Sequence, residues 1–210
     1  MKRLGLAAGL SACLLMSLAH ADAGKDIYTG GGKNPAAMAC ATCHGADGMG
    51  LAAGGFPAIA GFPAQYSVSQ MHAFKQQLRS NPIMNPIVAA LTDEEISQVS
   101  AYIESLPAPS HPRITRAAAV DSVGAKLALR GAWERNIPEC VSCHGPGGVG
   151  VGSAFPSLAG QHASYLVSQL NAWREGTRKN DPDDLMGHIA RSLTDSEVTA
   201  VADYFAAQGQ

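Results

Sequence analysis

Four of the chain's five cysteines form two C-x-x-C pairs, Cys40/Cys43 and Cys140/Cys143, and a histidine follows each pair at once, His44 and His144. On one helical turn this separation puts both sulfurs on the same side, with the histidine directed from the adjoining position. Two thiols and an imidazole so arranged suit a flat macrocycle. In C-x-x-C-H the thiols bond covalently to the vinyl groups of haem c and the imidazole nitrogen ligates its iron. Two haem c groups are therefore expected, held by Cys40, Cys43, Cys140 and Cys143, with His44 and His144 on the irons. A thioredoxin-like dithiol would need a preceding strand and a parallel sheet, and a zinc site would need four grouped ligands. The sequence offers neither.

The opposite axial position separates an electron-transfer haem, closed by methionine, from an open site for gas or peroxide chemistry. After His144 the chain has a single methionine, Met186. In the first half Met49, Met71 and Met84 compete, but Met49 follows His44 too closely to fold back across a ring. Met84 lies seven residues before Leu91, as Met186 lies seven before Leu193, so the repeat selects Met84 and Met186. The histidines His72, His162 and His188 face Asn171, Pro63 and Pro86 in the other half. His188 stays a local competitor of Met186, and His111 sits in a proline-rich connector.

These residues belong to an internal repeat that covers most of the chain. Gly24 and Gly31 match Gly124 and Gly131 at the offset of 100 shared by the cysteines. "FPAIAG" at 56–61 then matches "FPSLAG" at 155–160, and Val68-Ser69-Gln70 and Arg79 match Val167-Ser168-Gln169 and Arg178, at 99. Beyond Asn81 and Asn180 the second copy gains three residues, and "LTDEEISQVSAYI" at 91–103 matches "LTDSEVTAVADYF" at 193–205.

The elements that must position the sites read as helices. Thr92 to Glu95 and Thr194 to Glu197 are T-x-x-E capping boxes. Ile96, Val99 and Ile103, and Val198, Val201 and Phe205, follow at helical spacing. A further helix is expected from about Ala64 and Ala163, and a short one before each cysteine pair, with Asn- and Pro-containing loops carrying the methionines. Alternating strand patterns are lacking, so the fold class is all-α. The prolines of "LPAPSHPR" at 106–113 break the helix and mark a connector. The expected division is a first domain at 22–106, a linker at 107–113 and a second domain at 114–210. Units of this size have marginal cores of their own, which something large and apolar would complete.

Lys2 and Arg3, the apolar run from Leu4 to Leu18 and Ala19-His20-Ala21 read as a signal peptide over residues 1–21, which implies export to the periplasm. Leu10-Ser11-Ala12-Cys13 also fits a lipoprotein box, but the residues after Cys13 stay apolar where a mature lipoprotein would turn polar. No other stretch approaches the ~18 apolar residues of a membrane span. Loss of the leader leaves 13 Lys+Arg against 17 Asp+Glu, a formal charge of −4 that argues against nucleic acid as a partner.

With both C-x-x-C-H motifs, both "FPxxAG" segments, "RxN" before each methionine and "LTDxE" after it, the chain resembles the cytochrome c4 family of dihaem class I c-type cytochromes. The resemblance implies two tandem cytochrome c-like domains packed about an approximate twofold axis, each wrapped around one haem. It implies a periplasmic electron carrier rather than an enzyme, working between a membrane quinol–cytochrome c reductase and a terminal oxidase, with room for peripheral membrane association. The alternatives are the cytochrome subunit of a periplasmic dehydrogenase, as in flavocytochromes, and a dihaem peroxidase. The resemblance also implies that the Pro57 and Pro156 carbonyls accept from His44 and His144, and that Tyr66, Tyr165, Arg79 and Arg178 serve the haem propionates. An arginine before a polar loop is otherwise expected to be solvated. Gln77 in place of Gly176, Phe74 in place of Trp173 and the shorter loop to Met84 predict unequal haem potentials.

Overall fold

The computed structural model describes residues 22–109 and 120–209; the expected leader at 1–21 and the expected connector from Ser110 onward lie outside them. The first half contains α1 (22–30), α2 (Ala41–His44), α3 (Ala64–Lys75), α4 (Met84–Ala89) and α5 (Asp93–Ser105). The second contains α6 (Val123–Arg130), α7 (Cys140–His144), α8 (Ala163–Arg174), α9 (Leu185–Ser192) and α10 (Asp195–Ala206). Pairing between extended segments among the described residues is confined to isolated bridges, so the class is all-α.

Each half has its own core. In the first, Ile27 and Tyr28 of α1 meet Phe74 of α3, Val88 of α4 and Ile96, Val99 and Ile103 of α5. In the second, Leu127 and Ala128 of α6 meet Val198, Val201 and Phe205 of α10, with Leu193 between α9 and α10. The terminal helices cross at the repeated glycines. A Cβ on Gly24 would lie 2.1 Å from the Gln98 carbonyl oxygen, and one on Gly124 would lie 2.1 Å from that of Ala200. Only glycine lets two helix backbones come so close.

Both capping boxes form: Thr92 and Thr194 accept from the Glu95 and Glu197 N–H groups, and each glutamate accepts from its threonine's N–H at 2.8 Å. The segments around Met84 and Met186 differ from the expected loops, for both are helical, α4 and α9. Pro86 is tolerated because it falls in the first turn of α4, where backbone N–H groups have no intrahelical acceptor.

The halves meet through the segments that follow α3 and α8. Arg79 and Arg178 form an antiparallel bridge, the Ser80 N–H donates to Thr177 O at 3.0 Å, and the Lys179 N–H donates to Leu78 O. Leu78 and Ser80 match Thr177 and Lys179 at the offset of 99, so the two bonds are equivalents under an approximate twofold axis.

Candidate functional site

Each C-x-x-C-H segment is a single helical turn, with Cys40 just before α2 and Cys140 opening α7, and the histidine at the end of the turn. All four cysteines are half-buried free thiols. Burial pushes the Cys40 thiol up to about 11 and the Cys140 thiol up to about 12. Disulfide chemistry needs the opposite, a thiol whose thiolate is stabilised. Among the described residues no three His, Cys, Asp or Glu side chains converge as a metal site of their own.

The histidines are buried and oriented. His44 Nδ1 donates to the Pro57 carbonyl at 2.9 Å, and His144 Nδ1 donates to that of Pro156 at 2.8 Å. A carbonyl can only accept, so both rings carry their proton on Nδ1 and offer a bare Nε2. Burial holds both below the ordinary histidine range, against the Pro57 and Pro156 bonds that favour the proton, so the rings stay neutral. His144 Nε2 is fully buried and makes no hydrogen bond. A neutral, aimed and unsatisfied imidazole nitrogen beside two thiols is the donor set that haem c requires, and the residues fit the group.

Apolar side chains supply the surroundings. Cys40, Val68, Met71 and Met84 are partly buried against the first core, and Cys140, Val167, Leu170 and Ile189 against the second. No residue of α8 is fully buried by protein, although its Leu166, Val167 and Leu170 are apolar. The methionine segments are pinned differently. Asn81 Oδ1 accepts from the Ile83 and Met84 N–H groups, each at 2.9 Å, while Asn85 Nδ2 donates to Phe74 O at 2.8 Å. In the second half Asp181 takes over, accepting from Trp173 Nε1 and from the Gly187 N–H, each at 3.0 Å. Met186 is half-buried and His188 exposed, while His162 turns to the other half, its Nε2 lying 3.0 Å from Met49 O.

Arg79 and Arg178 overturn the expectation that they are solvated, for they are 8% and 6% exposed. Arg79 donates to Gln70 at 3.2 Å and to Gln169 at 2.7 Å, and Arg178 donates to Gln169 and to Gln70, each at 2.9 Å. Arg79 also donates to the Tyr165 hydroxyl. The guanidiniums cover Phe74 at 4.6 Å and Trp173 at 3.9 Å. Burial, and then the like charge of Arg79, weaken the hold of Arg178 on its proton. Burial raises Tyr165, but Arg79 and Arg178 outweigh it and hold the phenol below its ordinary value. Sequence reasoning missed Gln70 and Gln169, although their place in the repeated Val-Ser-Gln was a signal.

A cytochrome c family model matches residues 21–107 and 128–208. A thiosulfate dehydrogenase electron acceptor of Stutzerimonas stutzeri strain A1501 is 64% identical over 203 residues, covering 97% of this chain and 94% of that protein. Among solved structures, thiosulfate dehydrogenase (TsdBA) from Marichromatium purpuratum in its as-isolated form superposes with a TM-score of 0.79 at 42% identity, over 89% of this chain. This chain spans only 40% of that longer one. Reduced recombinant cytochrome c4 from Pseudomonas stutzeri gives a TM-score of 0.73 at 31% identity, over 89% of this chain and 97% of that one. Two tandem helical units, each presenting a C-x-x-C-H turn and an oriented histidine, place the chain in the cytochrome c family, as a dihaem member of the cytochrome c4 type with two covalently bound haem c groups.

Proposed function

We propose that this chain is an exported electron carrier that accepts electrons from a thiosulfate dehydrogenase and passes them toward the respiratory chain. His44 and Met84 would hold the haem iron of the first domain, residues 22–106, and His144 and Met186 that of the second, residues 114–210, and the irons would supply the one-electron chemistry. The observation that carries the reading is the 64% identity, over nearly the whole of both chains, to a protein named as the electron acceptor of that dehydrogenase. It favours a dehydrogenase as donor, and nothing in it calls for a flavin.

A haem iron held by histidine and methionine exchanges single electrons without binding substrate. The residues around it hold that state. Pro57 and Pro156 fix the rings of His44 and His144, and Asn81 and Asp181 fix the backbone beside Met84 and Met186. Met71 also packs on the first core, and the match to Met186 is what favours Met84. Arg79, Arg178, Tyr66 and Tyr165 face the haem propionates. Among the described residues no helix is long and apolar enough to cross a membrane, and a mature N-terminus at Asp22 is expected of protein recovered from the periplasm.

The test is reduction of the matured protein by purified thiosulfate dehydrogenase with thiosulfate, followed in a stopped-flow spectrometer. Both haems are expected to reduce only with enzyme and substrate together, and membranes to reoxidise them. If dithionite reduces both haems and the dehydrogenase reduces neither, the donor assignment fails, and a carrier between quinol–cytochrome c reductase and terminal oxidase takes its place.

A further inference from the structure

One peptide group in the first half is held from both sides. Its carbonyl, that of Pro57, accepts from His44 Nδ1 at 2.9 Å, and its N–H, that of Ala58, donates to Oε1 of Gln161 at 3.0 Å. Gln161 belongs to the second half and is 4% exposed. It completes a cyclic pair by donating from Nε2 to the Ala58 carbonyl at 2.8 Å, and its Oε1 also accepts from the His162 N–H at 3.0 Å.

The second half has no counterpart. Pro156 holds His144 in the same way, but among the described residues the Ser157 N–H makes no hydrogen bond. The position equivalent to Gln161 is Phe62, which packs edge-on against Tyr66 and has no amide to offer. The twofold relation that governs Arg79 and Arg178 is therefore broken at the support of the histidines.

Hydrogen bonds in series polarise one another, so an amide that donates through its N–H accepts more strongly at its oxygen. A stronger acceptor draws the Nδ1 proton away from His44 and makes Nε2 a better donor to iron. Greater donation favours the ferric state. We infer that Gln161 is a positioning residue through which the second domain tunes the first haem, lowering its potential relative to the second. The inference rests on His44 being an iron ligand, as proposed above.

The test is a spectroelectrochemical titration of the matured protein carrying Gln161→Met, which keeps the side chain's length and removes both the donor and the acceptor of its amide. The equilibrium for sharing one electron between the haems should move toward the first by about three- to tenfold. The nitrogen NMR shifts of the His44 ring should change and those of His144 stay fixed. Gln161→Leu, which removes the same donor and acceptor from a shorter apolar side chain and adds no charge, should move the equilibrium in the same direction, and it decides the matter if Gln161→Met does not fold. Potentials that move equally, or not at all, would overturn the inference and leave Gln161 as an interface contact only. The ring nitrogens of His44 separate the two levels: if they are shifted by the ferric iron and Gln161→Met changes nothing, this inference alone fails, and if they carry no such shift the ligand assignment fails.

Discussion

Arg79 and Arg178 face each other across the approximate twofold axis, and each guanidinium is hydrogen-bonded to both Gln70 and Gln169. No carboxylate among the described residues joins them. Buried like charges are costly without a counter-charge, which haem propionates would supply. A unit charge about 10 Å away in an effective dielectric of about 20 is worth about 1.7 kcal/mol. Positive charge favours the ferrous state, so Arg178→Gln should lower both haem potentials by roughly that amount. A redox titration checks it, and a change confined to one haem would contradict a charge shared between them.

Gln77 and Gly176 occupy one left-handed position in the two halves, with φ of 58° and 68°. A side chain there costs roughly 1–2 kcal/mol, partly offset by the smaller entropy loss of a non-glycine residue. Gln77→Gly should stabilise the first half by about 1 kcal/mol, and Gly176→Gln should weaken the second by a similar amount. Urea unfolding of each variant measures both.

Local signals carried much of the fold. The capping boxes at Thr92 and Thr194 and the helices from Ala64 and Ala163 form where propensity and periodicity put them. The helix at Met84 was hidden by Pro82 and Pro86, which suggest a loop until Pro86 is seen to fall in a first turn. The burial of Arg79 and Arg178 has no local signal, because it exists only when one half covers the other. Gln161 was less legible still. It has no match in the repeat, and its role depends on a partner 103 positions away.

Gly24 and Gly124 set the crossing of the terminal helices, where a Cβ would lie 2.1 Å from a main-chain oxygen. The obstacle is backbone and cannot swing aside, so the helices must separate. Gly24→Ala should cost about 3 kcal/mol, the upper range for overpacking, and Gly124→Ala about the same. Calorimetry of the matured protein should show only the substituted half melting early, since the cores are separate.

Glu197 gives the second half an acid-sensitive tie that the first half builds differently. Arg135 Nη2 and Nη1 donate to its carboxylate at 2.6 and 2.9 Å, and Nη1 reaches Ser192 O at 3.2 Å. The Arg135 bonds, against a smaller effect of burial and helped by Thr194, pull Glu197 down to about 2. In the first half Glu95 is lowered by the backbone N–H groups of Lys33 and Thr92, with no guanidinium. A carboxylate depressed in the folded state contributes its full stability above its ordinary value near 4.5, and loses it as the pH falls toward 2. Arg135→Gln should therefore raise the acid-unfolding midpoint of the second half, by about one pH unit, and leave the first half in place. Acid titration of the variant, with each haem followed by NMR, reads the two halves separately. Equal shifts in both would mean that Arg135 acts on the whole protein and not through Glu197.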